Sequence, residues 1–448
     1  MARPAVSIHW FRRDLRLHDN HGLYRALTDH GRVLPLFIFD TTILNKLEDR
    51  RDRRVAFIHR TLLAMKAELE GRGGSMLVVH GDPVRIWQEI LERFEVRAVT
   101  INHDHELYAI VRDQAVADLL RARSIPVRSC KDISIFERDE VVKDDNGPYT
   151  VFTPYARKWK VQFRPEMLDA FTSEAHADRY WQTPILPCPS LADLGFENTD
   201  LVTLPTTVPD ELLRNYHINR DVPAVDGTSR ISTHLRFGTV SIRALMRKAM
   251  SISSKYADEL IWREFYMQVL YHHPNATVRP IKPAYNNIVW RNNEEEFGAW
   301  CEGRTGYPLV DAGMRELLAT GLMHNRVRMV VASFLTKHLL IDWRWGEAWF
   351  AAKLLDFELS SNNGGWQWAS GSGCDAAPYF RIFNPHLQLQ RFDPQLKYVK
   401  RWVPEHGSAN YVQEVVVHDV ARERALEAYK KALKGDLGRT ERRSTLFT

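Results

Sequence analysis

The stretch Ser360-Ser361-Asn362-Asn363-Gly364-Gly365-Trp366-Gln367-Trp368 sets turn-forming and amide residues directly against two indoles. Carboxamides beside aromatic planes can hydrogen-bond the edge of a flat heteroaromatic ligand while the rings cover its face. Most of the thirteen tryptophans lie between Trp262 and Trp402, amid polar neighbours such as IWREF, VWRNN and DWRWGEAW. For most of these, service as large core anchors is a sufficient explanation. A second constellation, Asp226-Gly227-Thr228-Ser229-Arg230-Ile231-Ser232, places a glycine, hydroxyls and a cation ahead of an apolar run. Alone it reads as a helix N-cap. The same backbone N–H groups, hydroxyl donors and positive helix end would also cradle a phosphate. The two segments together fit a cofactor with a planar ring and a diphosphate.

Other motifs carry less. Gly371-Ser372-Gly373-Cys374-Asp375-Ala376 matches GxGxxA, but that fingerprint has meaning only between a strand and a helix, and here it sits in helical territory. His103 and His105, or His272 and His273, lack the i, i+4 spacing of a zinc-binding helix and have no cysteine ligands nearby. The four cysteines (Cys130, Cys188, Cys301, Cys374) form no CxxC pair, so neither a disulfide framework nor a zinc site is expected. No metal is expected.

The elements that must position these residues fall into two rhythms. Over the first ~130 residues, β-branched runs alternate with amphipathic stretches, as in a doubly wound parallel sheet. Strands are expected at Val6–Trp10, Arg32–Phe39, Ser75–His80, Ala98–Asn102 and Ile125–Arg128, with helices at Arg54–Arg72, Pro83–Phe94 and Tyr108–Ala122. The first strand leads into FRRDLRLHDN rather than a glycine-rich loop, so a standard dinucleotide site is excluded there. Residues 131–204 lose the periodicity and gather prolines, which reads as a long linker with a few short helices. From 205 to 448 the pattern is helical, as at Val240–Met250, Val310–Thr320 and the charged Ala421–Gly435. The chain is too long for one core and can bury a large cofactor. It shows no signal peptide or transmembrane-length run, which leads to an expectation of a cytoplasmic protein. A net charge of +5 allows a polyanionic partner without requiring one.

The string Asn362–Pro385, NNGGWQWASGSGCDAAPYFRIFNP, resembles the flavin-binding signature of the photolyase and cryptochrome family, and Thr305–Met329 resembles the segment just before it. Similarity runs from HWFRRDLRLHDN to the Trp402–Glu405 segment. The resemblance implies an α/β antenna domain followed by an all-helical FAD-binding domain, and light-driven repair of cyclobutane pyrimidine dimers in UV-damaged DNA. By motif position it assigns Tyr216, Thr228, Ser229, Arg230, Ile231 and Ser232 to the FAD phosphates and ribose, and Asp356, Phe357 and Glu358 to the flavin ring and ribityl edge. Asn362 would face flavin N5, with Arg328 and Asp356 as the ion pair beside the ring. Trp366, Trp343 and Trp290 match the family's chain of three tryptophans that re-reduces oxidised flavin.

For the lesion, the resemblance implies stacking on Trp262 and Trp368, polar contacts from Glu259 and Asn325, an apolar one from Met329, and DNA contacts from Arg263, Arg326, Arg381 and Gln388. A (6-4) photolyase would place paired histidines where this chain has His324-Asn325, and a signalling cryptochrome would more typically change Asn362 or add a long tail. Both are therefore the lesser alternatives. Tyr108 and Ala109 stand where folate-binding relatives carry an Asn-Glu pair. The antenna chromophore stays open between deazaflavin, flavin, folate held by other contacts, and none. A monomer without an obligate protein partner is expected.

Overall fold

A computed structural model describes residues 3–444. Five strands, β1 (Ala5–Phe11), β2 (Val33–Asp40), β3 (Leu77–Gly81), β4 (Glu95–Asn102) and β5 (Val127–Cys130), form one sheet in the order β3-β2-β1-β4-β5, with every pairing parallel. The sequence VLPLFIFD of β2 is buried throughout, as a central strand covered on both faces requires. The expected doubly wound sheet is present, and each strand lies within a few residues of its expected position.

The helices, in chain order, begin with α1 (His21–Asp29), α2 (Thr41–Leu44), α3 (Arg53–Glu70), α4 (Pro83–Arg93) and α5 (Leu107–Arg121) around the sheet. They continue with α6 (Phe152–Gln162), α7 (Asp210–Asn219), α8 (Ser232–Phe237), α9 (Ile242–Ile252), α10 (Ser254–His272), α11 (Glu294–Cys301) and α12 (Pro308–Thr320). The last are α13 (Asn325–Ser333), α14 (Trp343–Lys353), α15 (Leu359–Ser370), α16 (Pro385–Phe392), α17 (Lys397–Trp402) and α18 (His418–Ser444). Side-chain caps start many of them: the Asn20 side chain accepts from the Leu23 N–H, Asp82 from Arg85, and Asn293 from Glu296. Helix α1 was not anticipated. It begins just after FRRDLRLHDN, whose last residue Asn20 is its N-cap, and its apolar face is built from Leu23, Ala26 and Leu27.

Two compact units form, and neither is a continuous stretch of chain. One comprises residues 1–141, 159–208 and 230–260; the other comprises 142–158, 209–229 and 261–448. The residues expected as a linker are thus shared between the two units. In the sheet-containing unit, Tyr180, Leu194 and Phe196 from that stretch pack with Leu23, Val33, Leu62 and Leu69. The polar segment after β1 folds inward. Asp14 is buried and accepts from the Asn20 and Asn102 amides at 3.0 and 2.6 Å, with the His9 ring at 3.2 Å. Burial alone would raise its pKa, but His9 and Arg12 outweigh burial and hold the carboxylate well below its ordinary range. This network occupies the carboxyl ends of β1 and β4, where the strand order reverses, in place of a glycine-rich turn.

The second unit is helical among its described residues. Its core gathers Trp300, Tyr307, Phe334, Trp343, Phe350, Trp366 and Tyr398. No described helix is long and apolar enough to cross a membrane.

Candidate functional site

Two helices and one turn of the helical unit carry five of the eleven expected cofactor residues. Helix α13 presents Arg328, and the turn Asp356–Glu358 leads into α15, which carries Asn362 and Trp366. Arg328 Nη2 donates to both carboxylate oxygens of Asp356, at 3.0 and 2.9 Å, and Arg328 Nε donates to the Met323 carbonyl at 2.8 Å. The expected pair is therefore formed, with the Asp356 side chain buried and Arg328 part-exposed. Asn362 is anchored from α14: its Nδ2 donates to the Glu347 carboxylate at 2.8 Å and to the Glu347 backbone carbonyl at 3.1 Å. With the amide N–H groups committed, the atom left to meet a ligand is Oδ1, an acceptor. Glu347 was not singled out from the sequence; an acid between indoles in WRWGEAW was the only signal. Burial raises its pKa, and the Asn362 hydrogen bond offsets this in part.

The side chain of Arg263, expected at DNA phosphate, is 9% exposed and pairs with Glu358, itself 7% exposed. Nε lies 3.1 Å from one carboxylate oxygen and Nη2 3.4 Å from the other. Its charge is committed inside the unit, where it holds Glu358 beside Asp356.

Two glycines allow close approach. A Cβ on Gly364 would overlap the Tyr266 ring, and one on Gly346 would overlap the Trp366 ring and Leu335. Gly364 of NNGGW and Gly346 of WRWGEAW are thus steric requirements of the aromatic packing. Trp366 is 2% exposed, with ring neighbours Phe350 at 5.0 Å and Trp300 at 6.0 Å. Trp343 is equally buried, whereas Trp290 is half-buried and meets Tyr429 edge-on at 6.1 Å. Among the described residues, neither Trp343 nor Trp290 is in ring contact with Trp366.

The expected lesion residues differ in exposure. Trp262 is stacked face-on against Phe152, with centroids 3.7 Å apart and planes 8° from parallel, so one indole face is already covered. Phe152 went unrecognised because it lies in the proline-rich stretch, more than a hundred residues away. Trp368 is half-buried, tilted against Phe383 at 6.4 Å, and Met329 is half-buried on α13. Asn325 is exposed at the start of α13; Arg326 pairs with Asp221 at 2.8 Å and covers the Phe392 ring at 4.4 Å. Arg381 is exposed, and the Gln388 Oε1 is buried without a partner. Glu259 belongs to the sheet-containing unit and lies 3.8 Å from Lys255.

The expected phosphate residues divide likewise. Tyr216, Thr228 and Ser229 belong to the helical unit, with the Arg220 guanidinium over the Tyr216 ring at 5.7 Å. Arg230, Ile231 and Ser232 belong to the other, where Arg230 takes a left-handed φ of 50° just before α8. Among groups that suit an absent ligand, Ser360 Oγ is buried on the first turn of α15 without a protein partner. A cation–carboxylate pair, an acceptor amide oxygen and an unpartnered hydroxyl, gathered on α13 and the start of α15, fit the polar edge of a flavin.

A doubly wound parallel sheet followed by a tryptophan-rich helical unit defines a two-part cofactor protein. Residues 7–174 match the family described as DNA photolyase, and residues 256–410 match the FAD binding domain of DNA photolyase. The chain is 35% identical to the deoxyribodipyrimidine photo-lyase of Halobacterium salinarum, over 96% of this chain and 100% of that one. It is similar to the crystal structure of a bacterial class III photolyase from Agrobacterium tumefaciens, with a TM-score of 0.85, 33% identity and coverage of 97% of this chain and 98% of that one. An archaeal photolyase from Sulfolobus tokodaii, described with two FAD molecules, gives a TM-score of 0.81 at 32% identity, over 95% of this chain and 100% of that one. The chain belongs to the DNA photolyase family and carries its FAD-binding domain.

Proposed function

We propose that this protein is a deoxyribodipyrimidine photo-lyase that uses light to split cyclobutane pyrimidine dimers in UV-damaged DNA. The observation that carries the reading is the paired set Arg328–Asp356 and Asn362–Glu347, which offers a flavin edge a cation, a carboxylate and an amide acceptor. Bound FAD, fully reduced and excited by light, would supply the electron that opens the cyclobutane ring and take it back afterwards.

The chain's own residues bind, orient and exclude. Asn362 Oδ1 can accept a hydrogen bond from N5–H, and an amide cannot hand a proton to N5 as a carboxylic acid could. Arg328 would balance negative charge on a bound ring, and Asp356, Phe357 and Glu358 would line its edge, with Arg263 holding Glu358. Tyr216 and Thr228–Ser232 would hold the phosphates and ribose.

The dimer must leave the duplex to reach the ring, which costs a few kcal/mol and is cheapest at an already distorted site. Trp262, backed by Phe152, and Trp368 would stack on it, while Glu259, Asn325 and Met329 contact the bases. Arg326, Arg381 and Gln388 border the DNA backbone. Trp366, Trp343 and Trp290 would be the indoles able to pass electrons inward to the flavin site. We further read the protein as a cytoplasmic monomer that needs no protein partner. A second chromophore is compatible with the reading and not required by it: Tyr108 donates to Asp40 at 2.6 Å and offers no folate-holding amide.

The deciding experiment illuminates reduced holoenzyme with DNA carrying cyclobutane dimers, and in parallel with (6-4) DNA. Recovery of pyrimidine absorbance in the first and not the second is expected. Recovery in neither would leave a photoreceptor as the better reading, and recovery only in the second would favour (6-4) repair.

A further inference from the structure

Three side chains of the sheet-containing unit, none of them used in the repair chemistry, are joined in series. Glu137 Oε1 lies 2.5 Å from His103 Nδ1, and His103 Nε2 lies 2.6 Å from the Ser129 hydroxyl. Carboxylate, imidazole, hydroxyl is the order in which a histidine draws the proton from an attacking serine. A carboxylate has no proton to give, so Nδ1–H donates to Glu137 and the Nε2 lone pair is left to accept the Ser129 O–H. Burial would raise the Glu137 pKa, but His103, Arg138 and Lys131 outweigh burial and lower it, which keeps the carboxylate ionised.

Each arm is tied to backbone. His103 directly follows β4, and its N–H donates to the Cys130 carbonyl of β5 at 2.7 Å. Ser129 stands on β5 opposite Ile101. Glu137 opens a turn closed by Glu140, whose carboxylate accepts from the Glu137 N–H at 2.8 Å and from Lys131 Nζ at 2.9 and 2.7 Å. The His103 and Glu137 side chains are 21% and 18% exposed, whereas Ser129 is open to solvent.

A donor for a developing oxyanion is also present. Strand β5 is an edge strand, hydrogen-bonded to β4 alone. The bonds from Val99 N–H to the Pro126 carbonyl and from His103 N–H to the Cys130 carbonyl set the phase of the ladder. With Ile101 opposite Ser129, the N–H groups of residues 128 and 130 turn toward β4, and that of Ser129 faces outward with no strand beside it. The backbone N–H of the attacking serine is one of the donors that serine hydrolases aim at the oxyanion.

We propose that Glu137, His103 and Ser129 form an esterase site that hydrolyses short-chain, uncharged carboxylic esters. Ser129 Oγ attacks the carbonyl carbon and forms a C–O bond while its proton passes to His103 Nε2. The tetrahedral intermediate collapses, the bond to the alcohol oxygen breaks, and the alcohol leaves with that proton. Water, giving a proton to the same nitrogen, then attacks the acyl-serine; the carboxylic acid departs and Ser129 regains its proton. Glu137 stays ionised throughout and stabilises the imidazolium. The open strand edge accepts a short acyl group without a deep pocket. Arg128 and Lys131, which flank Ser129, are already paired with Asp29 and Glu140, so an uncharged ester fits better than an anionic one.

The test incubates FAD-loaded, full-length protein in the dark with p-nitrophenyl acetate and, separately, with a fluorophosphonate, whose adducts are mapped by peptide mass spectrometry. Nitrophenol release should fall by at least about tenfold in Ser129→Ala and in His103→Gln, as loss of a nucleophile or its general base requires. The fluorophosphonate should modify Ser129. Release unchanged in Ser129→Ala, or no adduct on Ser129, would overturn the proposal.

A second measurement isolates the histidine. In Ser129→Cys the thiol should be alkylated by iodoacetamide at least about tenfold faster than in Ser129→Cys/His103→Gln, because the imidazole favours the thiolate. Equal alkylation rates at residue 129 would mean that His103 does not activate this position, and the esterase assignment would fail.

Discussion

Replacing Arg263 by methionine tests whether this residue acts inside the protein or on DNA. Both side chains of the Arg263–Glu358 pair are at least nine-tenths buried, with N–O distances of 3.1 and 3.4 Å. At an effective dielectric of about 20, two unit charges at that separation attract by roughly 5 kcal/mol. Removing one partner of a buried pair typically costs about 3–5 kcal/mol, because the other charge stays desolvated. For a cooperative unit of roughly two hundred residues, each kcal/mol moves Tm by about 2–4 °C, so Arg263→Met should lower it by about 6–20 °C.

The double variant Arg263→Met/Glu358→Leu should recover most of that loss, since apolar replacement of both partners is often neutral or better. The assay is thermal unfolding of FAD-loaded protein, read from flavin release and near-UV circular dichroism, with DNA affinity measured against salt beside it. A phosphate contact would give the opposite pattern: an unchanged Tm, and a slope of log affinity against log salt shallower by about 0.9. That pattern, or a double variant no more stable than the single one, would refute the reasoning.

Gly346→Ala would force a methyl into the Trp366 ring and Leu335; overpacking of this kind costs about 1–3 kcal/mol. Photoreduction of oxidised flavin should slow more than dimer repair by chemically reduced protein, as measured by absorbance under steady illumination. Trp366→Phe should show the same split more strongly, and equal loss of both activities would mean a structural role. Because burial raises the Glu347 pKa above its ordinary 4.5, the folded state holds that proton to higher pH than the unfolded chain. Stability should therefore fall as pH rises from about 4.5 through the raised value, and Glu347→Gln should flatten that part of a Tm–pH profile. Asn325→Ala should weaken dimer binding with FAD retained, as seen by titration with lesion-bearing DNA. Arg381→Ala should make the salt dependence of DNA binding shallower by about 0.9 per lost phosphate contact.

The fold was largely legible because its signals are local. The run VLPLFIFD can only be a strand buried on both faces, and Pro83 after Asp82 marks a helix start within a single turn. What escaped notice joined distant segments. Nothing in the sequence of α10 distinguishes Arg263 from the exposed Lys255; only Glu358, ninety-five residues on, does so. The same holds for Phe152 against Trp262, and for residues 131–204, whose prolines read as a linker although Tyr180 and Phe196 are core residues. Proline and glycine report local chain direction and say little about what the chain then packs against.

The site shows the same division between identity and environment. The stretch NNGGWQW stood out as amides beside indoles, and the family resemblance assigned Asn362 and Trp366 their places within it. The group that anchors Asn362 could not: Glu347 sits in an ordinary amphipathic helix and matters through its two hydrogen bonds from the Asn362 amide. Motif positions therefore account for the residues that would touch the flavin, while the groups that hold those residues in place, Glu347 for Asn362 and Arg263 for Glu358, show only in the hydrogen bonds between distant helices.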